Sequence, residues 1–385
     1  MLPYYKDTAF SFQSKPCPQR RKNGDSFYLC SPMRNLLTSL LAVIVPLLLS
    51  GCGGKSTVTL EQSGVRWAEW FDLVKDSGGE EALVILSPYD GSTDTLKVKS
   101  PMKNFICMSS SYIAYLDAIG ADSLVTGVSG IDYISDPEIR RQFEEGRTFD
   151  VGYDANPDYE RIVSLSPDLL VCYMVSSVEP PFLKKLRSLG VPVLVMYEHL
   201  ENHPLARAEY VKLFGYLTGR EEESCEAFGK VESNYLAIRD SLLDRNPVKV
   251  LLNIPYGDQW YVPGGDNYMT RLVQDAGGEV LGAVPGQTAS SVISMEKAYT
   301  LSLEADFWLN TGWCDTKEQL FSVDPVFRRF PVDRIYNNTL RVTPGGGNDF
   351  WESGAFRADV ILSDLASIFG GNPDPSSLYY YKEVR

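Results

Sequence analysis

Hydrophobic and polar positions divide the chain into segments of unlike period. Residues 33–52, MRNLLTSLLAVIVPLLLSGC, run from one cation through an apolar stretch to small residues ahead of a cysteine. The stretch is shorter than the ~20 residues that span a bilayer, and Pro46 interrupts it. This order predicts a secretory signal over 33–51 with Cys52 as the first mature residue. Residues 1–32 are polar and would push the signal far from the start. They fit either an over-extended gene model whose true start is Met33 or a disordered leader. Residues 52–65 read as a polar tether. Residues 66–100 alternate apolar and polar positions around Asp76-Ser77-Gly78-Gly79 and Asp90-Gly91, which predicts a pair of hairpins forming a β-rich decoration.

From residue 101 the period changes. Short apolar runs at 105–108 (FICM), 124–129 (LVTGVS), 169–174 (LLVCYM) and 191–197 (VPVLVMY) predict strands, with helical spacing through Ile119 and over 181–189. Strands alternating with helices predict βαβ units and a parallel sheet. Residues 220–245 carry acids in the first turn, apolar residues at Phe228, Val231, Tyr235, Ile238 and Leu242, and an Asn246-Pro247 stop. Such a helix would be roughly 36 Å long, enough to bridge two lobes. A second series then begins, with strands at 249–254, 307–310 and 340–344 and helices at 268–276 and 354–368.

The second series echoes the first. Asn156-Pro157-Asp158 opens a helix containing Glu160 ahead of SLSPDLLV, and Ser294 opens a helix containing Glu296 ahead of SLEADFWL. Asn156 and Ser294 are the expected N-caps, with Pro157 at the first helical position. The predicted fold is α/β, with an N-lobe (101–219) and a C-lobe (247–372) joined by one long helix (220–246). Each lobe has a central, mostly parallel sheet flanked by helices, and residues 373–385 form a tail.

Charge narrows the partners. Removing residues 1–51, which hold six Lys or Arg against two Asp, takes the net charge from −14 to −18. So acidic a surface argues against nucleic acid and against an anionic-membrane-binding face, and suits docking onto a basic partner. Beyond Cys52 the cysteines are Cys107, Cys172, Cys225 and Cys314, with no C-x-x-C among them. Buried free thiols are expected for Cys107 and Cys172, which lie in apolar runs.

Leu49-Ser50-Gly51-Cys52 resembles a bacterial lipobox, which implies a lipid anchor on Cys52. Four further segments stand in order: NPDYERIVSLSPDLLV (156–171), YVPGGDNYMTRLVQDAGG (261–278), SMEKAYTLSLEADFWLN (294–310) and GGNDFWESGAFRADVILSDLASIF (346–369). Together they resemble the substrate-binding proteins of ABC importers, in the helix-linked group that handles iron-siderophores, haem and vitamin B12. The resemblance implies a monomer without chemistry or cofactor of its own, on the periplasmic side of a bacterial membrane. It would hold a ferric chelate, haem or corrinoid between its lobes and deliver it to an inner-membrane permease and its ATPase. It also implies that Glu160 and Glu296 pair with permease arginines. A carboxylate in a helix's first turn is held ionised by the dipole and can engage arginine through two parallel bonds.

Ligands of parallel α/β sheets collect beyond the carboxyl ends of strands. That rule selects Ser109, Ser110, Ser111, Asp132, Tyr133, Tyr153, Tyr173, Tyr197 and Glu198 in the N-lobe, and Trp260, Tyr261, Trp313, Asp349, Phe350 and Trp351 in the C-lobe. The three tryptophans are the leading candidates. No cation sits at the expected strand tips, which disfavours highly anionic tris-catecholates and favours hydroxamate chelates, cobalamin, or haem with a Tyr ligand. A bare Zn or Mn ion is an alternative cargo, with His199 and His203 on one helical face, but a third ligand is missing. An exported hydrolase is another alternative, weakened by the lack of a G-x-S-x-G elbow. Gly345-Gly346-Gly347 has no following Lys-Ser/Thr and reads as a turn that brings backbone close to the cleft.

Overall fold

Alternation at 66–100 produces three strands, β1 (Phe71–Lys75), β2 (Glu81–Leu86) and β3 (Thr93–Leu96), paired antiparallel as two successive hairpins. One face of them is buried, through Phe71, Leu83 and Ile85. The structure is a computed structural model and describes residues 64–75, 79–371 and 373–385. The expected leader, the signal at 33–51 and the acylated Cys52 lie outside the described residues.

The apolar runs of the first lobe become β4 (Phe105–Cys107), β5 (Val125–Val128) and β6 (Phe149–Asp150). After a short pairing of β7 (Gly152–Tyr153) with β8 (Asn156–Pro157) come β9 (Leu169–Tyr173) and β10 (Val193–Met196). The five-stranded sheet has the order β10-β9-β4-β5-β6 and is parallel throughout. Helices α1 (Ser110–Ala118), α2 (Pro137–Glu144), α3 (Tyr159–Leu165) and α4 (Pro181–Ser188) alternate with these strands. Then α5 (Pro204–Ala208) and α6 (Val211–Thr218) lead into α7 (Glu221–Ser241), roughly 31 Å of helix.

The second lobe contains β11 (Val248–Leu252), β12 (Trp260–Val262), β13 (Gly278–Val280), β14 (Ser291–Ile293), β15 (Phe307–Leu309), β16 (Ile335–Asn337) and β17 (Lys382–Glu383). Its helices are α8 (Tyr268–Asp275), α9 (Met295–Ser302), α10 (Lys317–Val323) and α11 (Ala358–Phe369). The main sheet runs β13-β11-β15-β16-β17, parallel except for the last pair, while β12 and β14 pair separately. The fold is therefore the expected one: two α/β lobes with mostly parallel sheets and a long helix between them. The lobes also touch directly. Tyr115 on α1 meets Phe356 edge-on at 6.4 Å, and Arg207 on α5 lies 4.6 Å over the Tyr268 ring.

Two local expectations fail. Residues 340–344 form no strand. Leu340 and Val342 stay exposed, and the segment turns back through a Val342–Asn348 bridge, while the sheet takes Ile335–Asn337, whose three residues are all buried. The tail, 373–385, packs onto the second lobe. It supplies β17, buries Tyr380, Tyr381 and Val384, and is held by Asp364, which accepts the N–H groups of Tyr379, Tyr380 and Tyr381. Finally, Asp158 caps α3 by accepting from Arg161 N at 3.0 Å, because Asn156 and Pro157 are engaged in β8; Ser294 caps α9 as expected.

The echo between the halves has a physical basis. Asp168 accepts the N–H of Lys103 at 2.7 Å, and Asp306 accepts that of Lys249 at 2.8 Å. Each aspartate ties the strand after its helix (β9 or β15) to the neighbouring strand (β4 or β11). The helices carrying Glu160 and Glu296 therefore enter their sheets alike.

Candidate functional site

Beyond β4, Ser109 occupies the N-cap position of α1 without capping it, and Ser110, half-buried, begins the helix. Ser109 Oγ lies 2.9 Å from Ser111 Oγ, and Ser111 donates to Glu198 Oε1 at 3.2 Å. Glu198 follows β10 by two residues and is buried. Its Oε2 lacks a hydrogen-bond partner, as do the Tyr112 hydroxyl, both His199 ring nitrogens and Arg207 Nε. This end of the lobe therefore holds a concentration of unmatched hydrogen-bonding capacity. Burial pushes the Glu198 carboxyl up, but His199 at 3.9 Å and Arg207 outweigh it and hold the carboxyl below its ordinary range. Tyr173, ending β9, is 37% exposed and meets the His199 ring edge-on at 5.7 Å. Past β5, half-buried Tyr133 and Tyr153 stand edge-on at 6.1 Å.

In the second lobe, Asn253 and Asn310 immediately follow β11 and β15, and both adopt left-handed backbone, φ 69° and 62°. Asparagine tolerates that region better than most residues. The Asn253 side chain donates to Tyr261 O at 2.9 Å, and Asn310 accepts from the Tyr381 hydroxyl at 3.0 Å. Trp313 and Trp351 are 54% and 46% exposed, and Tyr261 is half-buried with its hydroxyl donating to Gln259. Two candidates must be corrected. Trp260 is fully buried, stacked 5.9 Å from Trp308 and 6.2 Å from Phe330, with Nε1 donating to Leu252 O at 2.9 Å. Phe350 is buried edge-on against Trp351, Tyr380 and Tyr381. Both are core residues, because a place past a strand end does not fix which way a side chain turns.

The strand-end sides of the two lobes meet at one flank. The loop leaving β16 reaches the segment leaving β5, where Thr343 Oγ1 donates to Asp132 O at 2.8 Å. A Cβ on Gly345 or Gly347 would collide with the backbone of Asp132 or Tyr133, so these glycines serve a close approach, as expected. Glu352 completes the seam by accepting the N–H of Ser135 at 2.8 Å and of Asp136 at 2.6 Å. Burial pushes its carboxyl up to about 8.

Glu160 and Glu296 are each the second residue of their helix, α3 and α9, and both are exposed. The helix's first-turn N–H and Ser294 hold the Glu296 carboxyl below its ordinary range. His199 and His203 do not share a helix face. His199 lies in a 3-10 turn, Glu198–Leu200, whereas His203 caps α5 with Nδ1 accepting from Leu205 N at 3.0 Å. Among the described residues no group of three or more His, Cys, Asp or Glu is arranged to hold a metal ion. Cys107, Cys172 and Cys314 are buried free thiols, and free Cys225 is exposed. Arg207 is the residue the sequence reading missed. It lies in α5, beyond the reach of a strand-end rule, and the available signal was one arginine inside the otherwise apolar Pro204–Ala208.

Two parallel α/β lobes with their strand ends brought together define a two-lobed ligand-binding protein. Residues 106–331, more than half of the chain, match the family model of periplasmic binding proteins, and the chain belongs to that family. It is 28% identical over 288 residues to an uncharacterized lipoprotein of Methanocaldococcus jannaschii, covering 71% of this chain and 67% of the relative. A periplasmic binding protein from Veillonella parvula superposes with a TM-score of 0.56 at 16% identity, covering 76% of this chain and 99% of that one. A periplasmic haem-binding protein from Pseudomonas aeruginosa gives 0.57 at 18% identity, covering 74% and 98%. A periplasmic vitamin B12-binding protein from Vibrio cholerae gives 0.50 at 13% identity, covering 70% and 97%. At such identities the structural likeness speaks for the fold; the family places the chain among binding proteins and not among enzymes.

Proposed function

We propose that this chain is the substrate-binding protein of an ABC importer, held by acyl chains on Cys52 at the extracytoplasmic face of a membrane. It captures a bulky, weakly charged metal complex between its lobes and delivers it, as a monomer, to the permease and its ATPase. The observation that carries this reading is the meeting of the loops that leave β5 and β16, which brings strand-end segments of both sheets into contact. The lipoprotein relative supports the anchor, and the haem- and B12-binding structures support the cargo class. Trp313 and Trp351 offer ring platforms on one lobe, while Tyr173 offers a ring on the other. Glu198 and Arg207 offset each other, so the crevice suits haem, a corrinoid or a ferric hydroxamate better than a polyanionic catecholate. Glu160 and Glu296 are the proposed contacts to permease arginines.

The test is a visible-spectrum titration of the purified protein with haemin, cyanocobalamin and a ferric hydroxamate. One of the three should shift its bands and co-elute with the protein in gel filtration. A protein that leaves all three spectra unchanged is not this receptor.

A further inference from the structure

The hairpins at 66–100 lie outside the matched residues 106–331, yet one of their turns ends at the candidate site. The turn between β2 and β3 is closed by Ser87 N donating to Ser92 O at 2.8 Å and Gly91 N donating to Ser87 O at 3.0 Å. From it Tyr89 reaches the first lobe. Its hydroxyl donates to Met174 O at 3.2 Å, and its ring meets that of Tyr197 edge-on at 5.9 Å. Met174 is the residue after β9 and Tyr197 the residue after β10, so Tyr89 joins two strand ends beside the Tyr173–His199 pair. Beyond Met174 the chain leaves Val175 and Val178 exposed, at 49% and 70%. Met174 packs on the core, and the loop then presents the exposed Val175 and Val178 on either side of Ser176 and Ser177.

The hairpin base is firmly seated. Buried Glu209 accepts the N–H groups of Arg66, Trp67 and Ala68, and buried Glu201 accepts those of Glu69 and Trp70. Phe71 packs 4.6 Å from Tyr210, and the Tyr216 hydroxyl donates to Glu81 O at 2.9 Å. Two buried acceptors thus hold five consecutive backbone donors, which fixes where the turn can reach. Burial, then Tyr197, pushes the Tyr89 hydroxyl up to about 12, so it remains a donor at any working pH.

We propose that the 87–91 turn positions one wall of the ligand crevice: through the Tyr89–Met174 bond it fixes the 174–178 loop, against which the apolar edge of a macrocyclic metal complex packs. A loop fixed beforehand loses less entropy when the ligand arrives, so affinity rises without a new ligand contact. The inference rests on the receptor reading above, and Tyr89 acts through the loop and not on the ligand.

The test compares wild type with Tyr89→Phe, which removes only the hydroxyl, and Tyr89→Ala, which also removes the ring. Kd is measured by spectral titration with haemin, cyanocobalamin and a ferric hydroxamate, alongside hydrogen exchange of the amides at 174–178. Tyr89→Phe should bind about fivefold more weakly, the scale of one lost hydrogen bond, with faster exchange in that loop and a nearly unchanged Tm. Tyr89→Ala should bind more weakly still. Wild-type affinity in Tyr89→Phe overturns the inference, even if exchange quickens, since the bond would then be structural only. A wild-type protein that binds none of the three probes instead fails the receptor reading itself.

Discussion

Past β4 and β10 the first lobe presents Ser111, Glu198 and His199, polar and largely buried, with Arg207 of α5 acting on Glu198. In the second lobe Trp313 stands past β15 and Trp351 in the long segment after β16, both apolar and about half exposed. The scaffold beneath is shared: a capped helix, a glutamate at its second position, and an aspartate that ties the next strand to its neighbour. A repeated backbone device thus fixes where strand ends lie, and the side chains placed on those ends are free to differ. One lobe carries buried polar groups there and the other carries exposed aromatic rings.

The largest expected effect tests what the lobes share. Replacing Glu160 and Glu296 together by Lys should abolish ligand uptake by cells while leaving the Kd of the purified protein unchanged; a double variant that still imports ends the docking roles. The second separates core from crevice within the second lobe. Trp260→Ala should cost about 3–5 kcal/mol in urea denaturation, whereas Trp313→Ala should change stability by less than about 0.5 kcal/mol. The third reverses that order in binding: Trp313→Ala and Trp351→Ala should each weaken ligand about tenfold, near 1.4 kcal/mol, as read by titration. Equal stability losses at 260 and 313 would erase the distinction.

The smallest effect concerns the seams. Burial pushes the Glu352 carboxyl, between the lobes, and the Glu201 carboxyl, under the hairpin base, up to about 8 from 4.5. The folded protein holds these protons more tightly than the unfolded chain. Their contribution is full below about 4.5 and is lost as pH rises through 8. His203 runs the other way: burial lowers it from 6.5 to about 4, so its contribution is present above 6.5 and lost as pH falls through 4. Glu352→Gln, which cannot ionise, should make the fall in Tm between about pH 5.5 and 8.5 smaller by about 3 °C in calorimetry. An unchanged slope would mean that the carboxyl stays ionised in the seam.

Much of the fold was legible because it depends on local period. Runs such as LLVCY and VLVM are apolar on both faces, as parallel strands with covered faces must be, and the spacing of Phe228, Val231 and Tyr235 is that of one helix face. The misread segments are those where local signals tied. Arg341-Val342-Thr343 alternates like a strand, but Ile335-Tyr336-Asn337 fills the sheet position with three buried side chains. Of the candidate residues, the serines follow β4 and the exposed Trp313 follows β15, whereas Trp351 was placed by a strand at 340–344 that does not form. Trp260 belongs to the core, because the pairing of β12 with β14 turns it onto Trp308 and Phe330.

The sequence alone determined the order of elements, the two-lobed α/β class and the matched settings of Glu160 and Glu296, since periodicity and capping act over a few residues. Only the tertiary structure decided which strand-end segments meet. The Tyr89–Met174, Thr343–Asp132 and Glu352–Ser135 bonds join residues 85, 211 and 217 positions apart. No local pattern encodes such pairs; they exist because packing both sheets brings their partners within hydrogen-bond reach.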